Sequence, residues 1–582
     1  MHPSVSPHPR SASSALESIA LVLLGTLAPL IAFSQTPSAT LYNQLCALLG
    51  AGGVLLGLSA SLPRLNGSAA AWALVLLLLG PCASAWLNGL PLSLALSASA
   101  LVGAALFLLV MAQGLDSGAR STWFTTLCWS LLAAGLLSLL VSIIQVFLPD
   151  LPDGHLIARS GIPGRAVGNM RQPNHLASLL MWSSVAAVFL ADQGSLRKAD
   201  RRVALPLLLF GFVFAVILSA SRTGMVGVFL LALWGLLDRR LKPASRWSLV
   251  ATPLMMAASW YAMYLWANSG GGHAFGAESR LASEGAGSPE RMKILANAWE
   301  LVKRNPWTGV GWGEFNLAWT MTPFPNRPIA FFDHTHDLPM QLAVELGIPA
   351  AVLIVGLLAW SLWRALRDSM RATDEHDAVV RRCAFMLVLM IGLHSLLEYP
   401  LWYAYFLLPA AFAFGLALGP LEDKPRGRAI SLQVPAFIGG LAIVLGSLYA
   451  VWDYHRVVVI YVPPEHAGPL ADRIEAGRKS TFFAQQADYA AATSLEPGPY
   501  ALQAARSTAH NLIDTRLMMS WAQSLHATGD DDRARYVVQR LREFRNANAQ
   551  QWLDMCKDVA RPEDKPFQCE PPKREYDWKE MR

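Results

Sequence analysis

Apolar runs close to the ~20 residues that a helix needs to cross a bilayer recur from residue 16 to residue 451, each ended by a short polar turn. Their limits predict about thirteen spans, at 16–33, 41–62, 69–87, 92–112, 122–148, 175–191, 203–220, 223–237, 247–267, 339–363, 383–397, 401–419 and 432–451. Barrel-type alternation of apolar and polar positions is absent, so the spans are helices and the expected fold class is an all-α polytopic transmembrane protein. The opening 1–15 is polar and rich in Pro and Ser, and no small-residue cleavage site follows the first apolar run. It reads as a retained cytoplasmic tail before a first span. The expected organisation is a transmembrane domain over 16–451, a large outer loop within it at 268–338, and a polar helical domain over 452–582.

Composition agrees with the pattern. Hydrophobic residues make up 53% of the 582 and charged residues only 15%, a balance that excludes an ordinary soluble domain. The net charge of +6 says little about partners, because basic membrane-flanking loops account for it and no nucleic acid is expected. If the N-terminus lies inside, the loops carrying Arg64, Arg120, Arg201, Arg239, Arg364 and Lys424 face the cytoplasm. The opposite loops at 34–40, 88–91 and 398–400 contain no Lys or Arg. This asymmetry follows the positive-inside rule and puts the 452–582 region outside. Cys556 and Cys569 in that region are close enough in sequence to pair, which would imply an oxidising compartment.

Three outer segments hold the unusual chemistry: 149–174, the break Ser219-Ala220-Ser221-Arg222-Thr223-Gly224, and the loop 268–337. Within the loop, Ser288-Pro289-Glu290 reads as a helix start, with Arg291 in the first turn and Ile294, Leu295, Ala298, Leu301 and Val302 on an apolar side expected to rest on the membrane. The loop ends at Asp333-His334-Thr335-His336-Asp337, which places His336 at the mouth of the 339–363 span. These residue types suit a metal, but His334 and His336 project together only from an extended chain, and no further outer carboxylate pair completes a ligand set. No metal or other cofactor is expected. Arg222, alone in its turn between two apolar helices, calls for an anionic partner; the alternative is an interfacial anchor. Gly309-Val310-Gly311-Trp312-Gly313 mimics a nucleotide-binding loop, yet follows no strand and lacks a Walker lysine. Asp530-Asp531-Asp532 follows the turn of a helical hairpin built on Leu517, Trp521, Leu525, Ala534, Val538 and Leu541, and reads as a helix start.

Several of these stretches together resemble the O-antigen ligase and polymerase superfamily. His336-Asp337, followed after nine residues by Gly347-Ile348-Pro349-Ala350, is similar to its histidine signature. Ser221-Arg222-Thr223-Gly224 and Arg291 ahead of Asn305-Pro306-Trp307-Thr308-Gly309 are similar to its two arginine motifs. Gly168-Asn169-Met170-Arg171-Gln172-Pro173-Asn174-His175 and His394-Ser395-Leu396-Leu397-Glu398-Tyr399-Pro400 resemble its bacterial O-linked oligosaccharyltransferase branch, the pilin-glycosylating protein ligases. Asp337 departs from the signature, where Asn, Ser or Gln is usual.

The resemblance implies transfer of a preassembled glycan from undecaprenyl pyrophosphate to Ser or Thr of an exported protein such as pilin, in the bacterial inner membrane, without metal or nucleotide. It implies His336 as general base and Arg222 and Arg291 as pyrophosphate ligands. It also implies Gln172, Asn174, Arg171, Tyr399 and Tyr403 as glycan or acceptor contacts, with Asp337 and Glu398 as modulators. The bland readings are a loop hydrogen bond for Gln172 and an interfacial aromatic belt for the tyrosines. Ligation to lipid A-core and glycan polymerisation remain rivals within the same chemistry. A transporter of an anionic lipid-linked substrate would instead place charges near the bilayer midplane.

Overall fold

The computed structural model describes residues 12–60, 67–193, 198–284, 289–325, 327–421, 431–557 and 565–582. The tail up to Ser11, Arg64, Arg197, the expected cap Ser288 and the 424–428 basic stretch lie outside the described residues. Among those described, helices are the only regular elements apart from one isolated bridge between Gln35 and Ser38.

Nine described helices are long and apolar enough to cross a membrane: Leu41–Ser59, Ala69–Asn88, Ser93–Gln113, Ser117–Phe147, Pro173–Asp192, Arg201–Ser219, Ile348–Arg371, Glu375–Ser395 and Gln433–Tyr461. Three expected spans are shorter apolar helices, Ala15–Leu30, Arg222–Leu237 and Ala404–Leu418. Two expectations are corrected in detail. The 247–267 segment is two helices, Pro243–Val250 and Thr252–Ala267, because Pro253 has no N–H to continue the ladder across Ala251. The 339–363 segment is also two, Leu338–Leu346 and Ile348–Arg371, and only the second is of span length.

The break at Gly347 has a tertiary cause. The 305–311 turn docks on it: Val310 N–H donates to the Val344 carbonyl at 2.8 Å, Gly311 N–H to that of Glu345 at 3.2 Å, and Ile348 N–H to that of Pro306 at 2.8 Å. Gly347 has φ +86, and a Cβ there would stand 2.3 Å from the Trp307 carbonyl oxygen. Gly309, at φ +68, faces it, and a Cβ there would stand 2.4 Å from the Glu345 carbonyl carbon. Only two residues without side chains can share this contact. The glycines that mimic a nucleotide loop are therefore half of a backbone clasp, and the glycine after the histidine signature is the other half.

The core divides in two. The larger part lies among the long helices, with Trp182, Phe124, Phe189 and Phe212 fully enclosed. The second joins the outer loop to the C-terminal helices: Ile294, Ala298, Leu301 and Val302 from the helix Pro289–Arg304 share it with Trp319, Trp521, Tyr536 and Phe544. These loop residues are buried in protein, not laid on the membrane as expected. The exposed side of their helix carries Met292 and Trp299 instead. The helix Gln433–Tyr461 runs past residue 451 without a break and contributes Tyr454 and Val457 to this outer core. The hairpin expected around Gly529 is present as Thr515–Ala527 and Asp531–Glu543, with Asp530 capping the second helix.

Candidate active site

Four segments distant in the chain meet at Glu398, which is buried just beyond the helix Glu375–Ser395. Asn174 opens the helix Pro173–Asp192 and donates from Nδ2 to Glu398 Oε1 at 2.8 Å. Its Oδ1 accepts from the Ser221 hydroxyl at 2.6 Å, while the same hydroxyl accepts from Gly224 N–H at 3.1 Å and so caps the helix Arg222–Leu237. Arg291, in the first turn of Pro289–Arg304, donates from Nη2 to Glu398 Oε1 and forms an ion pair with it. His336 completes the set through Nδ1, 2.6 Å from Glu398 Oε2.

This arrangement fixes the imidazole. With Nδ1–H donating to the carboxylate, Nε2 keeps its lone pair and is the basic atom. Burial by itself would raise the Glu398 pKa, but the hydrogen bond from His336 and the charge of Arg291 outweigh it and hold the carboxyl below its ordinary value. Asp337, expected to modulate the histidine, does something else. Its carboxylate accepts from Met340 N–H at 2.8 Å and caps Leu338–Leu346, so the carboxylate on the imidazole is Glu398. Burial raises the Asp337 pKa.

His336 has φ +59, a left-handed conformation that costs a non-glycine residue about 1–3 kcal/mol. Thr335 holds it there: its N–H donates to Gln341 Oε1 at 2.8 Å and its hydroxyl to the Asp337 carbonyl at 2.9 Å. Arg171 and Ala220 have positive φ as well, so all three outer segments carry a backbone outlier close to the centre.

Aromatic rings enclose the histidine. Phe332 and Tyr399 meet it edge-on, with centroids at 5.2 and 5.1 Å. Tyr399 stacks on His334 at 4.2 Å, and His334 pairs with Asp333 at 3.1 Å. His334 and His336 thus contact the same Tyr399 ring, one stacked and one edge-on, and among the described residues no three His, Cys, Asp or Glu side chains are grouped to hold a metal ion. Tyr403 lies behind Tyr399, centroids 6.2 Å apart, and meets His175 edge-on at 4.5 Å. Burial, then the Asp333 charge, pushes the Tyr403 hydroxyl up to about 12 and raises that of Tyr399 further, so neither ionises near neutrality.

The other expected contacts sit around this centre in different ways. Gln172 caps Pro173–Asp192, its side-chain oxygen accepting from the N–H groups of Asn174 and His175. Arg171 donates to the carbonyls of Ala32, Gly154 and Ala39, tying the first outer segment to the 32–39 turn. Arg222 follows Ser221 directly and is half-buried, one residue from the Ser221–Asn174–Glu398 chain. Glu345 is buried beside the backbone clasp, its carbonyl accepting from Gly311 N–H. The sulfurs of Cys556 and Cys569 are bonded to each other. Sequence reasoning missed Ser221 and Phe332, and placed Glu398 only at the margin. The capping position of Ser221, a hydroxyl three residues before Gly224 N–H, was the available signal.

A buried carboxylate is thus shared by an imidazole, a guanidinium and an amide at one end of the apolar helices. Three family models match parts of the chain. The O-Antigen ligase model matches residues 207–355, the Protein glycosylation ligase model 166–191, and the Virulence factor membrane-bound polymerase, C-terminal, model 383–556. Over these stretches the chain is similar to O-antigen ligases and protein glycosylation ligases. Among its relatives is the General O-oligosaccharyltransferase of Acinetobacter baylyi (strain ATCC 33305 / BD413 / ADP1), 27% identical over 358 residues, or 58% of each chain. The ComP-specific O-oligosaccharyltransferase of the same organism is 24% identical over 300 residues, or 50% of each chain. The match thus spans little more than half the length of these curated relatives.

Proposed function

We propose that the protein is an O-oligosaccharyltransferase that moves a preassembled glycan from undecaprenyl pyrophosphate to a Ser or Thr hydroxyl of an exported protein such as pilin. The observation that carries this reading is the Glu398–His336 pair with Arg291 on the same carboxylate. His336 Nε2 takes the acceptor's hydroxyl proton as its oxygen bonds to the anomeric carbon. The bond from that carbon to the phosphate oxygen breaks, and its electron pair leaves with the pyrophosphate. Arg222 and Arg291 stabilise the charge that develops there, the guanidinium fork suiting phosphate oxygens. Binding of the donor would draw Arg291 from Glu398 towards phosphate. No step calls for a metal, and a single displacement inverts the anomeric configuration.

The location proposed is the bacterial inner membrane, with the site and the C-terminal helices periplasmic. The basic residues concentrated in loops on the other side and the Cys556–Cys569 bond in the outer region support it. The Protein glycosylation ligase match over 166–191 favours a protein acceptor, while the O-Antigen ligase and polymerase matches keep lipid A-core ligation and glycan polymerisation as the second reading. Purified protein is incubated with undecaprenyl-pyrophosphate glycan and either pilin or lipid A-core. Glycan appearing on pilin with inverted linkage is expected; transfer to lipid A-core alone would reverse the choice of acceptor, and a retained anomeric configuration would remove the mechanism.

A further inference from the structure

The segment that delivers His336 is held by the C-terminal helices as well as by the membrane domain. Phe544, at the end of the helix Asp531–Glu543, is fully buried, and its ring stacks on Phe331 with centroids 3.9 Å apart and planes 10° apart. Trp319 meets Phe544 edge-on at 5.6 Å and Phe332 edge-on at 6.0 Å, and Phe332 in turn meets His336. Arg327, where the segment begins, bonds to Glu543 at 2.9 Å and to the Trp319 carbonyl at 2.8 Å. Its guanidinium lies 4.7 Å over both Trp319 and Phe544. Burial holds the Arg327 pKa down to about 10, against the charge of Glu543, so it stays cationic at neutral pH.

We propose that Phe544 is a positioning residue for His336, acting through Phe331 and Phe332 across 208 residues of chain, so that the C-terminal domain forms part of the catalytic apparatus. The physical need is plain from the backbone. A histidine at φ +59 stays there only if its surroundings over-determine it, and Thr335 supplies only the downstream half of that restraint. Upstream, the His334–Tyr399 stack restrains the chain from the membrane side and the Phe331–Phe544 stack restrains it from the C-terminal helices. A flat ring between Phe331 and Trp319 cannot be replaced by a branched aliphatic of similar size, because offset-stacked and edge-on contacts depend on ring geometry. If the stack loosens, the His336 Nδ1 to Glu398 Oε2 contact loosens with it, and displacement of a reacting group by about 1 Å costs on the order of 100-fold in rate.

The inference rests on the glycosyl-transfer reading, and the test separates the two. Full-length protein in lipid nanodiscs carries Phe544→Leu, Phe331→Leu, both together, or Phe331→Tyr, which keeps the ring at a half-buried position. Transfer is measured with an undecaprenyl-pyrophosphate glycan donor, and hydrogen–deuterium exchange is followed over 327–337. Either leucine variant is expected to lower kcat roughly 10- to 100-fold with KM for donor and acceptor within about 2-fold of wild type. The double variant should lose no more than the worse single one, since the two rings form one contact. Phe331→Tyr should restore kcat. Exchange over 327–337 should quicken while that of Leu470–Gly477 and Ala484–Ser494 does not. Wild-type kcat in Phe544→Leu, additive losses in the double variant, a loss confined to KM, or faster exchange throughout the domain would each overturn the proposal. A wild-type protein that transfers no glycan would sink the transfer reading, and the exchange pattern would still decide whether Phe544 holds the histidine segment.

Discussion

Two buried charge clusters occupy opposite ends of the membrane domain, and they are made of nearly the same parts. At the end bearing the basic loops, Asp377 pairs with Arg120 and, at 2.5 Å, with Arg381, while Asp238 pairs with Arg382 at 2.9 Å. Two of the arginines also donate to backbone: Arg381 reaches the carbonyls of Ala417, Gly419 and Pro420, and Arg120 those of Leu115 and Pro420. These side chains are at most 6% exposed. At the other end, Glu398 is as deeply buried, but its partners Arg291 and His336 are 24% and 14% exposed. One carboxylate there is shared among an imidazole, a guanidinium and an amide from three other segments, and the histidine is left-handed. The first cluster is a fastener: its charges are closed on one another and on helix-end carbonyls, where a cation is favoured anyway. The second is built with access, strain and a titratable group, the features that mark a working site.

The contrast can be broken from either end. The largest effect on turnover is expected from His336→Ala, which removes the base and should lower glycan transfer on the order of 10²- to 10⁴-fold at normal expression. Next come Arg291→Ala and Arg222→Ala, each expected to cost about 10²- to 10³-fold, with Lys at either position recovering part of the rate; single-turnover kinetics with the lipid-linked donor would measure it. Glu398→Gln should cost roughly 10- to 100-fold, because the imidazole loses the partner that sets its tautomer. The pH dependence follows from the lowered carboxyl pKa. A depressed folded-state pKa contributes stability above the unfolded value of about 4.3 and loses it as pH falls through the folded one. Stability is therefore expected to fall as pH drops below the ordinary carboxylate range in wild type, and to lose this contribution to the fall in Glu398→Gln, as read from thermal unfolding against pH. Asp377→Asn should reverse the pattern, costing about 3–5 kcal/mol of stability in thermal unfolding while turnover per folded molecule changes less than about 2-fold. Chelation of divalent metals should leave transfer unchanged, the smallest effect of the series; loss of activity with EDTA and recovery on adding metal would contradict it.

The sequence by itself determined much that depends on near neighbours. Span-length apolar runs, the helix start at Asp530, the proline-started helix that carries Arg291 and the hairpin at Gly529 were all legible, because hydrophobic burial and backbone capping act within a few residues of the chain. The resemblance to known motifs singled out His336, Arg222 and Arg291. Only the tertiary structure decided that Glu398, and not the adjacent Asp337, holds the imidazole. Asp337 was the natural choice in sequence, but a residue at a helix start turns its carboxylate to the free N–H groups of the first turn, as the Met340 contact shows. Glu398 reaches the site across 62, 107 and 224 positions of chain from His336, Arg291 and Asn174. No local periodicity encodes contacts of that span. The helix break at Gly347 and the Phe331–Phe544 stack were hidden for the same reason: each exists because a remote backbone or ring occupies the space beside it.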